Sequence, residues 1–339
     1  ILVGYMRRNV GSLEAGVKFL ILGALSTGFL VYGIAWIYGA TGTTDLALIG
    51  ERITEQNSTY LLFGLALILV SLAFKVGAVP MHLWIPDVYQ GAPTPTTAFL
   101  SIASKASGFA IAIRVTEPFL NSGTDIAAKT TFILATLAGA TILLGNLPAI
   151  PQKNFKRLLA YSSIANAGFI LLPMAAWQTA TDELTSKQVI AFYLTIYLIM
   201  TFAAFFILAI IHRNTGSDEI SAFEGLGRRH PLLAIMTAII IGALAGLPLT
   251  AGFWGKFLAF KTAIDAGLWV PVSLGFIGVA AGFYYYFQII RAMYWRSSLE
   301  SEPIEIRPIA FRSIAGLTTL VIILGFWPQP IYWLLQNIS

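Results

Sequence analysis

The sequence predicts an all-α fold, a polytopic bundle of transmembrane helices. Three observations carry that prediction: apolar windows long enough to cross a bilayer, scarce charge, and a proline–glycine interruption in two of the windows. Of 339 residues, 57% are hydrophobic and only 11% charged, with a mean hydropathy of +0.77. A soluble domain carries about twice that charged fraction. There are no cysteines, so the chain itself holds no iron–sulfur cluster, thiolate zinc site or disulfide. The three histidines, His82, His212 and His230, are too scattered for bis-histidine haem. The net charge of +5 resides mostly in short loops, where it sets topology. It calls for a lipid bilayer rather than nucleic acid as partner.

A spanning helix needs about 20 mostly apolar residues. Such windows lie at 13–39, 59–90, 95–118, 127–148, 155–176, 187–211, 232–264, 267–295 and 309–336, nine spans after an opening stub. The stub, Ile1–Met6 before Arg7-Arg8, has no signal-peptide pattern and reads as the tail of a helix begun upstream. The first span opens with Glu14 and Lys18, four apart and suited to a local ion pair. The second is interrupted at Lys75-Val-Gly-Ala-Val-Pro80, and the seventh at Gly242-Ala-Leu-Ala-Gly-Leu-Pro248. Proline removes a donor and clashes with the preceding turn, so helix breaks are expected at Pro80 and Pro248.

Freed backbone groups are tolerated at membrane depth only against protein or water. A pair of broken spans in two halves of a chain marks an inverted-repeat transporter, although proline kinks also occur in inert helices. With loops assigned alternately, eleven Lys and Arg, among them Arg7, Arg8, Lys156 and Arg157, fall on one side. Four, Arg52, Lys129, Lys187 and Lys261, fall on the other. That bias puts the first side in the cytoplasm and the C-terminus outside.

Lys75 and Lys105 sit at the middles of the second and third spans, where a lysine costs about 2.5–3.5 kcal/mol on insertion scales. They are expected to face a polar interior, a carboxylate or each other. Burial beside another cation disfavours the charged form of an amine, and lysine, unlike arginine, releases its proton in proteins. A structural lysine paired with one acid is the alternative. Lys256, in Gly252-Phe-Trp-Gly-Lys256, lies toward the outer face, as a proton exit group or a snorkelling interfacial lysine. Gly255-Lys256 is no phosphate loop, because Thr250 and Phe257 occupy positions that such a loop requires to be glycine and hydroxyl.

His82 follows Lys75 by seven residues, the same face of an unbroken helix, and is either a proton relay or a hydrogen-bonded structural group. Asp87 is read as a structural anchor of the half-helix after the break. Tyr161, Ser162, Ser163 and Asn166 lie near the middle of the fifth span. They either order a polar path between Lys105 and Lys256 or glue helices together.

One stretch closely resembles a known family. Phe74-Lys75-Val-Gly-Ala-Val-Pro80-Met-His82-Leu-Trp84-Ile-Pro86-Asp87-Val-Tyr89-Gln-Gly91-Ala-Pro93-Thr-Pro95, followed by Ser104-Lys105, is similar to the subunit N family of bacterial NADH:quinone oxidoreductases (complex I). That family's chloroplast and cyanobacterial counterpart is subunit 2 of the plastoquinone-linked complex. Lys156-Arg157-Leu-Leu-Ala-Tyr161-Ser-Ser163, Gly246-Leu-Pro248 with Gly252-Phe-Trp-Gly-Lys256-Phe, Tyr284-Tyr-Tyr286 and Gly325-Phe-Trp-Pro328-Gln-Pro330 extend the resemblance over essentially the whole chain.

The resemblance implies fourteen transmembrane helices with two antiporter-like inverted repeats, of which this chain would hold the end of the fifth and the sixth to fourteenth. It divides the chain into 1–118, the end of the first repeat; 119–298, the second; and 299–339, a C-terminal helix. It assigns proton transfer to Lys75, Lys105, Lys256 and His82, and places a glutamate partner of Lys75 before residue 1. Many relatives carry histidine where Asn166 stands here, so a proton would pass that position on water.

The implied function is proton translocation driven by quinone reduction elsewhere in the complex. This chain would hold no cofactor, and quinone, FMN and iron–sulfur clusters would lie in partner subunits. The implied partners are neighbouring antiporter-like and small membrane subunits. The implied location is the bacterial inner membrane, or the thylakoid in a photosynthetic organism. A multi-subunit cation/proton antiporter subunit, or a non-conducting membrane anchor, are the competing readings.

Overall fold

In the computed structural model of the chain, residues 2–6, 9–177, 184–296 and 304–338 are described. Arg7, Arg8 and the expected boundary at 298/299 lie outside them. Among the described residues, eight helices are long and apolar enough to cross a membrane, and Pro231–Ala245 is a shorter apolar helix. The chain is a multi-pass membrane protein.

In chain order the helices are α1 (Val10–Thr41), α2 (Leu46–Glu51), α3 (Ser58–Val76), α4 (Trp84–Gly91) and α5 (Thr94–Phe99). A π turn, Leu100–Ser104, joins α5 to α6 (Lys105–Leu120). Then come α7 (Asp125–Asn146), α8 (Phe155–Ala175), α9 (Ser186–Thr215), α10 (Leu226–Arg229) and α11 (Pro231–Ala245). The last four are α12 (Ala251–Asp265), α13 (Trp269–Trp295), α14 (Pro308–Phe326) and α15 (Gln329–Ile338).

Local chemistry sets the starts. The Asn9 side chain accepts from the Ser12 amide, and that of Asn154 from the Arg157 amide. Thr185 and Gln188 form a capping box at α9. These contacts satisfy amides that a helix leaves without internal partners.

The two interrupted spans break where expected, and both breaks are built alike. The span at 59–90 divides into α3 and α4, and the span at 232–264 into α11 and α12. Each first half ends on a left-handed glycine, Gly77 at φ 80° and Gly246 at φ 93°. In each, the next amide reaches back five residues, Ala78 to the Ala73 carbonyl and Leu247 to that of Gly242, both at 2.9 Å. This is the Schellman closure, which glycine adopts without a Cβ penalty. Prolines 80 and 248 then keep the helix from resuming directly.

The last expected span, 309–336, is not one helix. It ends at Phe326 and restarts at Gln329, because Pro328 can supply no amide to the α14 ladder. The short α15 folds back on the start of α9: the Gln188 Nε2 donates to the Leu335 carbonyl at 3.3 Å, and Tyr332 packs on Phe192.

α8 is the centre of the bundle. Of its most apolar window 94% is buried, against 17% for α1 and 28% for α14. α7 lies so close that a Cβ on Gly145 would sit 2.3 Å from the Ala165 amide nitrogen, the small-residue approach that membrane helices favour. The polar residues of α8 are therefore held in protein and kept from lipid.

Candidate functional site

Two buried lysines anchor the interior. Lys105 is 2% exposed and Lys256 8%. The π turn before α6 directs Lys105 toward α8, where its Nζ donates to the Ser163 carbonyl and, at 2.7 Å, to the Ser163 hydroxyl. The Tyr197 ring lies beside it, 5.3 Å from Nζ to the centroid. Lys256, on α12, turns back to the break before it and donates to the Leu244 and Ala245 carbonyls at 3.0 and 2.7 Å. Those are the last carbonyls of α11, left without intrahelical donors. The Lys256 head is buried on these backbone oxygens, with the Phe169 ring at 5.2 Å.

Between the lysines runs a network of hydroxyls and amides. Tyr89 pairs its hydroxyl with that of Ser163 at 3.2 Å, and Ser162 pairs with Tyr286. The Asn166 amide donates to the Ser162 carbonyl at 2.8 Å, and its oxygen accepts from the Tyr193 hydroxyl at 2.8 Å. The Tyr193 ring reaches α12: a Cβ on Gly255 would lie 3.1 Å from it, one residue before Lys256. Tyr285 donates to Asn146 at 3.1 Å and packs on Tyr286. Buried polar groups of this kind must be paired, and here they pair with one another. Asn166 is thus fixed at both ends of its amide.

Tyr89, Tyr193, Tyr197, Tyr285 and Tyr286 were not among the residues that the sequence singles out for the site. The signal for two of them was present, since Tyr193 and Tyr197 stand four apart in an otherwise apolar helix. Tyr285 and Tyr286 lie in a stretch that carried the resemblance, without a role attached.

The remaining expected residues divide. Ser162, Ser163 and Asn166 lie in the network. Tyr161 is only half-buried and sits beside Arg157, off the line. Lys75 departs from expectation: it is exposed, and no hydrogen bond or ion pair to it is found among the described residues. Its backbone packs against α6, where a Cβ on Gly108 would lie 3.1 Å from the Lys75 Cβ. The resemblance places its carboxylate partner before residue 1.

His82 shares no helix face with Lys75, because α3 stops at Val76 and α4 starts only at Trp84. It is half-buried, with an Nδ1 that has no partner. Asp87 accepts from Lys18 of α1 at 2.6 Å and from Arg157 of α8 at 2.7 Å, so it ties α4 to both neighbours. Lys18 also meets Glu14 at 2.6 Å.

Chemically, the arrangement offers two amines on neutral oxygens, with groups between them that each donate and accept a hydrogen bond. Among the described residues no three His, Asp or Glu side chains gather as a metal site would require.

Comparison with known proteins fits this geometry. Residues 1–282 match the family described as "NADH:quinone oxidoreductase/Mrp antiporter, TM". The chain is similar to NADH-quinone oxidoreductase subunit N of Desulforamulus reducens, at 40% identity over 332 residues that cover 98% of this chain and 68% of that protein. It also resembles a chain of respiratory complex I from Thermus thermophilus with bound Aureothin, at TM-score 0.82 and 35% identity over 97% of this chain and 70% of that one. A chain of the Mrp complex from Dietzia, at 20% identity and TM-score 0.83 over 96% of this chain and 67% of that one, shares the fold alone. The chain spans about two thirds of the length of the curated relatives it matches.

Proposed function

Because the chain belongs to the membrane-subunit family of NADH:quinone oxidoreductases and Mrp antiporters, we propose that it is a proton-translocating subunit of a NADH:quinone oxidoreductase. It works in a bacterial inner membrane, beside other membrane subunits of the same complex. One observation carries this reading: Lys105 and Lys256 are buried amine groups on neutral oxygens, with hydrogen-bonded groups of hydroxyls and amides lying between them. A membrane anchor has no need of charges that cost kilocalories to bury.

The relatives at 40% identity are named as subunit N, which favours the quinone-linked reading over a cation/proton antiporter. Quinone, FMN and iron–sulfur clusters belong to partner subunits. Quinone reduction there alters the electrostatics along this chain, and Lys75 is the group through which the change reaches Lys105. Each elementary charge moved outward costs about 2.3 kcal/mol per 100 mV, so the step draws on redox chemistry done elsewhere. A proton passes from Lys105 by way of Ser163 and Ser162, crosses the Asn166 position on water, and moves by Tyr193 toward Lys256.

The test is Lys105→Ala in the assembled complex, followed by proton translocation and quinone reduction in closed vesicles. Loss of coupled pumping with assembly intact is expected. Pumping at the wild-type rate in this variant overturns the proposal.

A further inference from the structure

Both buried amines sit in the same kind of cradle, two oxygens and an aromatic ring. Lys105 donates to the carbonyl and the hydroxyl of Ser163, and Lys256 to the carbonyls of Leu244 and Ala245. A protonated lysine has three N–H groups, so two oxygens leave one over. In each case the amine lies over a ring, Lys105 over Tyr197 at 5.3 Å and Lys256 over Phe169 at 5.2 Å. Among the described residues neither amine is paired with a carboxylate. Lys187 makes the contrast: it lies over Trp177, and there Glu117 completes an ion pair.

At Lys256 the ring is built in. Phe169, on α8, is 1% exposed. Lys256 and Phe260 stand four apart on one face of α12, and both meet Phe169. Phe260 meets it edge-on, with centroids 5.7 Å apart and planes at 64°. Phe260 is itself stacked on Phe276 of α13 at 4.9 Å, so the aromatic contact that fixes Phe169 is anchored from two helices. The face of an aromatic ring is its negative side. It attracts a cation, and more strongly where water is excluded, but does little for a neutral amine. A leucine would fill the same space without that preference.

We propose that Phe169 is a positioning residue for proton transfer, its ring face holding the protonated Lys256 over the α11 carbonyls. The inference rests on the proposed transfer of a proton to Lys256. The ring does for this amine what Glu117 does for Lys187, with one difference. A carboxylate can take the proton itself, whereas a phenyl ring offers it no place to stop. The proton therefore stays on the amine until it leaves the site.

α12 packs on α8, α9, α11, α13 and α14. Tyr193 of α9 approaches it at Gly255, and Lys261 and Asp265 of α12 itself line one cavity of about 620 Å³ with Lys256. α11 carries no ionisable side chain, and Tyr286 of α13 pairs with Ser162. Tyr161 stands two turns before Phe169 on α8, and Arg312 more than three turns before Gly325, where α14 meets Trp254. All of these groups stay in place when only the ring at position 169 is altered.

The experiment replaces Phe169, in the assembled complex, by phenylalanines carrying one, two and three ring fluorines. Fluorine draws charge off the ring face and keeps the packing. Protons pumped per quinone reduced are followed against pH in closed vesicles. A weaker face favours the neutral amine, so the alkaline limb should move to lower pH with each fluorine. Complete loss of the attraction corresponds to roughly one pH unit, and Phe169→Leu should show it in full. Assembly and melting temperature should hold through the fluorine series. The same series at Phe223, which packs on Phe155 and lies over neither amine, should leave the limb in place. A limb that does not move at position 169, with Lys256→Ala inactive, would overturn the role of the ring and leave Lys256 on the path. Equal movement in the Phe223 series, or a loss at every pH that tracks lost assembly, would reduce Phe169 to packing and overturn it too. Wild-type pumping in Lys256→Ala would remove the reading on which the proposal rests.

Discussion

Lys256 caps the end of α11 with its ammonium 2.7 Å from the Ala245 carbonyl oxygen. The helix stops at Gly246, so that carbonyl has no amide partner, and it lies at the negative end of the helix dipole. The break that looks like a defect in a spanning helix is thus what makes room for a buried charge. Lys105 is held in a related way, on the carbonyl and hydroxyl of Ser163. Neutral oxygens orient an ammonium without neutralising it, whereas a carboxylate would hold the proton more firmly. Both sites suit a group that must give its proton up.

Gly246→Ala tests that relationship. At φ 93° an alanine is strained, by roughly 1–2 kcal/mol. Its Cβ would also lie 2.9 Å from Lys256 Cδ, forcing the side chain off the carbonyls. A lower thermal midpoint together with impaired pumping is expected in the purified complex. Gly28→Ala is the comparison, since nothing lies within 4 Å of a Cβ there and surface changes of this kind stay within about 0.5 kcal/mol. Equal pumping in the two variants would show that the break does not position Lys256.

Ser163→Ala separates the two contacts of Lys105. The carbonyl remains and the hydroxyl shared with Tyr89 goes, so one charge-assisted bond worth about 1.5–3 kcal/mol is lost. The protein should fold with reduced thermal stability and pump more slowly, without the full loss expected of Lys105→Ala. Ser163→Thr keeps a hydroxyl and should stay close to wild type. Undiminished proton flux in Ser163→Ala would mean that no proton travels through that hydroxyl.

The fold was legible because its signals are coarse and local. Twenty apolar residues predict a span wherever they fall, and the Gly–Pro pairs around Gly77 and Gly246 predict the breaks. The division of 309–336 was missed because Trp327 and Pro328 lie inside an apolar window that hydropathy cannot divide. The site was legible only for its expensive members. Lys105 and Lys256 stand out because a charge in hydrocarbon demands a reason. Tyr193 and Tyr286 do not stand out, because a tyrosine costs little at any depth and its hydroxyl acquires meaning only from the neighbour it meets. The contact of Phe169 with Lys256 joins two helices far apart in the sequence, and only packing brings them together.

Tyr193→Phe addresses the middle of the network, where Asn166 cannot titrate. The Tyr193 hydroxyl donates to the Asn166 oxygen at 2.8 Å, and its ring packs on Gly255 beside Lys256. It is therefore the group on this line nearest to α12 that can both take and give a proton. Phenylalanine keeps the packing and removes the hydroxyl, leaving the Asn166 oxygen buried without a donor at a cost of about 1–3 kcal/mol. Slower pumping and a lower melting temperature are expected together. A double-mutant cycle with Asn166→Leu separates the two effects, because residues in one hydrogen-bonded unit lose less together than the sum of their single losses. Removing both partners should recover part of the stability, since no polar atom is then stranded, while pumping stays impaired. Recovery of pumping along with stability would show that the tyrosine only satisfied the asparagine, and the route to Lys256 would have to run elsewhere.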